Sequence, residues 1–210
     1  MKKRLLAALC AALAALSLLL PLAGAAWNDN IIFTAINYTV QPLTADSMPE
    51  KVGGTIYVPY TVFDASLNGG IAFGLFNGGQ NRTGGVNTYT IYSREKNLTF
   101  DLNAGVAWDY IDVGSVQDRI PRAIIRNGKV YLPAAAVAQY FGLQTFYTEN
   151  TALGYPLIRI KNENQGLNDA TFLSSAHTVM LDRLKTYYNS QVPQVTDPEP
   201  EPPPVAPPTP

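Results

Sequence analysis

The chain has 210 residues, 47% of them apolar and 15% charged, with 15 Lys and Arg against 16 Asp and Glu, one His and one Cys. There is no basic excess, and beyond Lys2, Lys3 and Arg4 the basic residues are scattered, which argues against nucleic acid as a partner. Cys10 is the only cysteine, so no intrachain disulfide can form and no Cys-based metal site can be assembled.

Residues 1–26 read as a secretory signal: Lys2, Lys3 and Arg4, an apolar run from Leu5 to Leu20, then Ala23, Gly24, Ala25 and Ala26 as a small-residue cleavage region. The apolar run falls short of the ~20 residues that comfortably span a bilayer, so a cleaved signal is expected and no membrane span in the mature chain. Cleavage near Ala26 removes Cys10 and three basic residues, leaving 12 basic against 16 acidic groups, a net charge of −4. An exported domain without disulfides fits a bacterial surface better than an animal secretory route.

Two phrases then dominate the pattern. Gly54-Thr55-Ile56-Tyr57-Val58-Pro59 returns 74 positions later as Gly128-Lys129-Val130-Tyr131-Leu132-Pro133, which predicts a duplicated unit. At the same offset Phe63 matches Val137, Leu67 matches Phe141, Asn68 matches Gly142 and Phe73 matches Tyr147. Each phrase alternates as a strand and stops at its proline, which lacks an N–H and suits the start of a following helix. Asn127-Gly128 between two apolar runs predicts a two-residue hairpin, and Gly53-Gly54 the same in the first unit.

In the first unit Phe63 and Leu67 are expected on a short helix. Gly74 to Asn87, rich in Gly and Asn, is expected as a mobile surface loop. Tyr89–Tyr92 and Leu98–Leu102 read as strands around a polar turn at 93–97. In the second unit Ala134 to Phe141 predicts a helix with a stripe of Ala134, Val137, Ala138 and Phe141, ended by Gly142. Leu157–Ile160 reads as a late strand. From Asn168 or Asp169 a longer helix is expected, with Phe172, Ala176, Val179, Met180, Leu184 and Tyr187 at helical spacing. Residues 193–210 hold nine of the sixteen prolines together with Asp197, Glu199 and Glu201, the composition of a disordered, extended linker.

The Gly-x-x-Tyr-Leu-Pro strand running into an Ala-rich helix, then Phe141-Gly142-Leu143 and Thr145-Phe146-Tyr147, resembles the copper amine oxidase N-terminal-like domain of secreted proteins from Gram-positive bacteria. The second unit, from Arg122 to Lys161, carries the closer likeness. The resemblance implies an α+β fold, a small antiparallel sheet curled around helices, in a stalk or wall-associated module without catalysis or cofactor. The expected organisation is a signal peptide at 1–26 and the domain at 27–165, with repeat units at about 48–102 and 122–161. A C-terminal helix follows at 166–192 and a proline-rich tail at 193–210.

Few residues suggest chemistry. Ser174 and His177 lie one helical turn apart, but no acid or oxyanion donor accompanies them and a polar helix face explains both. No metal-ligand spacing is present. Trp108 and Tyr110, in a stretch that also holds Asp109 and Asp112, are the first candidates for stacking on a sugar; the structural alternative is an irregular connection between the units with Trp108 and Ile111 buried. The expected partner is cell-wall polysaccharide or a downstream domain. The competing expectation is the front part of a wall-remodelling enzyme, a polysaccharide deacetylase or peptidoglycan hydrolase, with its catalytic domain beyond residue 210.

Overall fold

The computed structural model describes residues 30–64, 73–109, 115–116, 120–163 and 166–191. The chain divides into two compact units, Met1–Ile31 and Ile32–Pro210, and the described architecture belongs to the second. The signal segment, Leu67, Asn68, Tyr110, Ile111, Asp112 and the proline-rich tail lie outside the described residues.

The fold is α+β with strands predominating. In chain order the strands are β1 (Phe33–Ile36), β2 (Thr39–Val40), β3 (Glu50–Val52), β4 (Thr55–Pro59), β5 (Phe76–Asn81), β6 (Thr88–Tyr92), β7 (Asn97–Asp101), β8 (Val106–Asp109) and β9 (Ser115–Val116). Then come β10 (Ile124–Arg126), β11 (Lys129–Pro133), helix α1 (Ala134–Tyr140), β12 (Gln144–Thr148), β13 (Leu157–Lys161) and helix α2 (Asp169–Gln191). They form three sheets, with strand orders β12-β13-β1-β2, β10-β11-β4-β3 and β5-β6-β7-β8-β9.

The second sheet is the duplicated unit. In the first hairpin Glu50, Lys51 and Val52 pair with Tyr57, Ile56 and Thr55; in the second Ile124, Ile125 and Arg126 pair with Tyr131, Val130 and Lys129. Every pair of one hairpin maps onto a pair of the other at the 74-residue offset. Both turns take positive φ at both central residues, +56° and +83° at Gly53 and Gly54, +48° and +75° at Asn127 and Gly128, as the right-handed strand twist requires of a two-residue turn.

The helices after the two prolines differ. Pro133 closes β11 and caps α1, whose C-terminus is a Schellman turn: Gly142 at φ +74° donates its N–H to the Gln139 carbonyl and Leu143 donates to Ala138. Ala134, Val137 and Ala138 are fully buried, whereas Phe141 falls outside the helix at its cap and stays half-buried against the core. Pro59 leads only into a 3-10 turn over Tyr60–Val62, in place of the expected helix. Tyr60-Thr61-Val62 lacks the alanine run of the second unit, and its β-branched residues form helix less readily. Phe63 is nevertheless fully buried, and Phe73 and Tyr147 both pack partly buried on the core.

The largest departure from expectation is the Gly-rich segment. Phe76–Asn81 is a strand, β5, paired antiparallel to β6 with a bulge between Asn77 and Gly79. Gly78 has Thr90 side-chain and backbone atoms 3.2 to 3.3 Å from where a Cβ would stand, so glycine here permits the strands to approach. A bulge on an edge strand also discourages further pairing. The expected irregular connection around Trp108 is likewise a regular strand at 106–109.

Alternation along the third sheet turns Tyr89, Ile91, Leu98, Phe100 and Ala107 inward. They share one core with Val58, Val62, Phe63, Val130, Leu132, Val137, Ile158 and Ile160. Each Val, Leu, Ile or Phe among them contributes about 1.5–3 kcal/mol on burial. The first sheet departs from a purely antiparallel arrangement, because β1 and β13 pair in parallel, Phe33 with Leu157 through Ile36 with Ile160. Both strands are buried along their whole length, as expected of a strand covered on both faces. Ile36, Ile158 and Ile160 face the shared core, and the alternate residues Phe33, Ala35, Leu157 and Arg159 face the other way, where Arg159 meets α2.

Asn168 caps α2, its Oδ1 accepting from Thr171 N at 2.8 Å. The buried stripe is Phe172, Ala176, Met180, Leu184 and Tyr187. Val179, expected on that stripe, is 42% exposed, because spacings of four carry the covered face past it.

Candidate functional site

The duplicated phrase is used up in the fold. β4 and β11 pair antiparallel with Tyr57 opposite Pro133, Val58 opposite Leu132 and Pro59 opposite Tyr131. Each tyrosine of one unit therefore stands across from the proline of the other, about a local two-fold axis through the Val58–Leu132 pair. Tyr57, Tyr131, Pro59 and Pro133 are all buried, and the Tyr131 hydroxyl donates to the Asp46 carbonyl at 3.4 Å. Gly54, Gly128 and Gly142 occupy turns. The motif positions consequently lie in the scaffold, the tyrosines and prolines in its buried strand pair and the glycines in its turns.

The outer face of the third sheet is different in kind. Register places Phe76, Tyr92 and Asn97 in one cross-strand row of that face, and Gly79, Thr90, Thr99 and Trp108 in the next. Phe76 and Tyr92 are 42% and 39% exposed, with ring centroids 5.6 Å apart and planes inclined by 32°. Beside them a cavity of about 340 Å³ is lined by Gly74, Phe76, Ser93, Arg94 and Glu95.

The turn that supplies three of these residues is firmly built. Ser93 Oγ accepts from the backbone N–H of Glu95 at 3.2 Å and of Lys96 at 3.0 Å, and Ser93 N donates to the Lys96 carbonyl at 2.8 Å. Lys96 Nζ then donates to the Tyr140 carbonyl at 2.7 Å, a cation at the C-terminal end of α1. Tyr140 in turn donates its hydroxyl to the Asn97 carbonyl at 3.1 Å. Arg94 and Glu95 are thus held out on a turn locked to the core helix.

Trp108 lies half-buried in β8 on the same outer face, and Tyr110 lies outside the described residues. Phe76 and Tyr92 were not singled out by sequence. The alternation Tyr89, Ile91 against Thr90, Tyr92 already put Tyr92 on a solvent face, but its partner Phe76 sat in a segment that read as a loop.

A second polar cluster joins α2 to the first sheet. Arg159 is wholly buried; its Nε donates to the Asn37 carbonyl at 2.7 Å and its Nη1 to Asp169 Oδ1 at 2.7 Å. The guanidinium lies over the Phe172 ring at 4.3 Å, and Lys161 Nζ reaches both Asp169 oxygens at 3.1 Å. Desolvated ions of this type tie elements together. On the same helix His177 is half-buried and Ser174 exposed. Among the described residues no group of three or more His, Cys, Asp or Glu is placed to hold a metal, and no helix is long and apolar enough to cross a membrane.

Burial acts on the tyrosines. It pushes Tyr89 well above the ordinary phenol range, helped by Tyr60 and Asp64. Tyr140 is raised by burial and by the nearby Asp109 carboxylate, and Tyr131 by burial and by Asp46 and Glu50. The Tyr131 and Tyr140 hydroxyls donate to the Asp46 and Asn97 carbonyls, whereas the buried Tyr89 hydroxyl has no hydrogen-bond partner among the described residues. At the surface Lys51 and Glu149, 2.7 Å apart, are shifted up and down respectively by the hydrogen bond between them.

Comparison of the chain with protein-family models, with curated proteins and with solved structures found no match in any of the three.

Proposed function

We propose that this chain is a non-catalytic secreted or cell-wall-associated module that acts as a stalk or binding domain, of the copper amine oxidase N-terminal-like type. The observation that carries the reading is the burial of the duplicated Tyr-x-Pro positions about the β4–β11 axis. The most distinctive residues of the sequence are consumed in a rigid scaffold, while exposed aromatic side chains stand on the outer face of another sheet. The signal-like N-terminus supports export.

Fractionating cells that express the full chain tests the reading. The protein is expected in the envelope or medium with its N-terminus near Ala26 or Trp27; a cytoplasmic protein retaining Met1 overturns it. The proline-rich composition of residues 193–210 favours a second reading, in which the module precedes a wall-remodelling catalytic domain. Reading the gene past residue 210 decides between the two.

A further inference from the structure

Phe76 brings exposed aromatic surface to the lining of a cavity, with the exposed Tyr92 ring 5.6 Å from its own, and the remaining lining narrows what could occupy it. Arg94 offers only donors and the Glu95 carboxylate offers acceptors, so among the described residues the charged lining has both hydrogen-bonding senses and one charge of each sign. A phosphate backbone or an acidic peptide selects for an excess of cations, which is missing here. A purely apolar ligand would leave Arg94 and Glu95 without partners in the contact.

A pyranose ring satisfies both halves of the site. Its C–H face packs on an aromatic plane, and its hydroxyls both donate and accept along the edge. The volume of about 340 Å³ lies at the small end of ligand sites, of the order of a sugar unit or two. The Ser93 turn, locked to α1 through Lys96, keeps the polar rim in place before a ligand arrives, which lowers the entropy lost on binding. Trp108 stands on the same face two strands away, about 12 Å from Tyr92 by strand spacing and rise, so a chain of sugars entering the groove can run on across the sheet.

We infer that the groove between β5 and the β6–β7 turn binds neutral polysaccharide, with Phe76 and Tyr92 as its stacking platform and Arg94 and Glu95 as its hydrogen-bonding rim. This assignment rests on the reading of the chain as a wall-associated module and names that module's ligand class and site.

The test is calorimetric titration of the full chain with soluble neutral tetrasaccharides of β-linked N-acetylglucosamine, β-linked glucose and α-linked glucose, and with a synthetic peptide of residues 193–210. Saturable binding of at least one sugar is expected, weakened about tenfold or more by Tyr92→Ala and by Phe76→Ala. Thermal melting of the two groove variants should match the parent, since both rings are largely outside the core. Absence of sugar binding by the parent chain, or binding that survives Phe76→Ala/Tyr92→Ala, overturns the assignment. Binding of the peptide instead of sugar, lost in the same variants, overturns it in favour of a proline-rich ligand. Fractionating cells that carry the same variants separates the two levels: a parent chain absent from the envelope fails the module reading itself, whereas envelope retention with unaltered sugar binding in the variants fails only the groove.

Discussion

Val58 and Leu132 are Cα partners in the centre of the β4–β11 pair, and they are also equivalent positions of the duplicated phrase. Equivalent residues can face each other in an antiparallel pair only where a two-fold axis passes between them. The repeat is thus a symmetric four-stranded sheet, in which each unit supplies a hairpin and the units meet at their inner strands.

Both residues are fully buried, so truncation should be costly and coupled. Leu132→Ala is expected to destabilise by about 2–5 kcal/mol. The Val58→Ala/Leu132→Ala double variant should depart from additivity by about 0.5 kcal/mol or more, because the two sites share one cavity. Urea denaturation of the three variants measures both quantities; strict additivity would place the side chains in separate environments.

Phe63 and Phe141 separate true core from cap. Phe63 is wholly buried, and its replacement by Ala should cost about 3–5 kcal/mol. Phe141, half-buried beyond the end of α1, should lose clearly less in the same substitution. Equal losses in denaturant titrations would contradict the packing described.

Asp169 is the one carboxylate that the buried Arg159 and the nearly buried Lys161 share in their ion pairs among the described residues. Asp169→Ala leaves both cations without a carboxylate and should destabilise by about 3–5 kcal/mol, the usual cost of breaking a buried pair from one side. Arg159→Met combined with Asp169→Ala should recover part of the loss, since the uncompensated guanidinium is gone. Melting temperatures of the single and double variants check the order; a double variant less stable than Asp169→Ala alone would show that the guanidinium acts mainly through its stacking on Phe172.

Tyr89, Tyr131 and Tyr140 all have folded-state pKa values raised above that of an ordinary phenol, about 10. The sign follows from linkage: the unfolded chain releases these protons first, so their contribution is intact below about pH 10 and shrinks as pH climbs through and beyond that value. Stability should therefore fall steadily in alkali. An absorbance titration should show these three phenols ionising late and together with unfolding, and Tyr89→Phe should flatten the alkaline decline. A reversible titration of all tyrosines near pH 10 with the fold intact would refute this.

Much of the second sheet was legible beforehand because its information is local. Asn127-Gly128, the alternation through Val130 and Leu132, the stop at Pro133 and the turn at Gly142 each act within a few residues, and duplication stated the same signal twice. The Gly-rich strand was illegible for the opposite reason. Asn77-Gly78-Gly79 has little intrinsic preference for extension, and what makes it a strand is the ladder offered by β6 and the room that a missing Cβ leaves beside Thr90. The difference between the Tyr60–Val62 turn and α1 was present in composition, in the alanine run of only one unit, yet the shared offset obscured it.

By itself, then, the sequence determined the duplication, the hairpins, the capped helix at 134–140 and the long helix after Asn168, since propensity, turn chemistry and periodicity operate at short range. Only the tertiary structure decided that the repeats meet about Val58 and Leu132, that β1 and β13 run parallel, and that Arg159 lies buried on Asp169 and Phe172. The same holds for the candidate groove. Phe76 and Tyr92 are brought together by strand register, and register is set by the pairing of whole strands against a common core, which no single segment encodes.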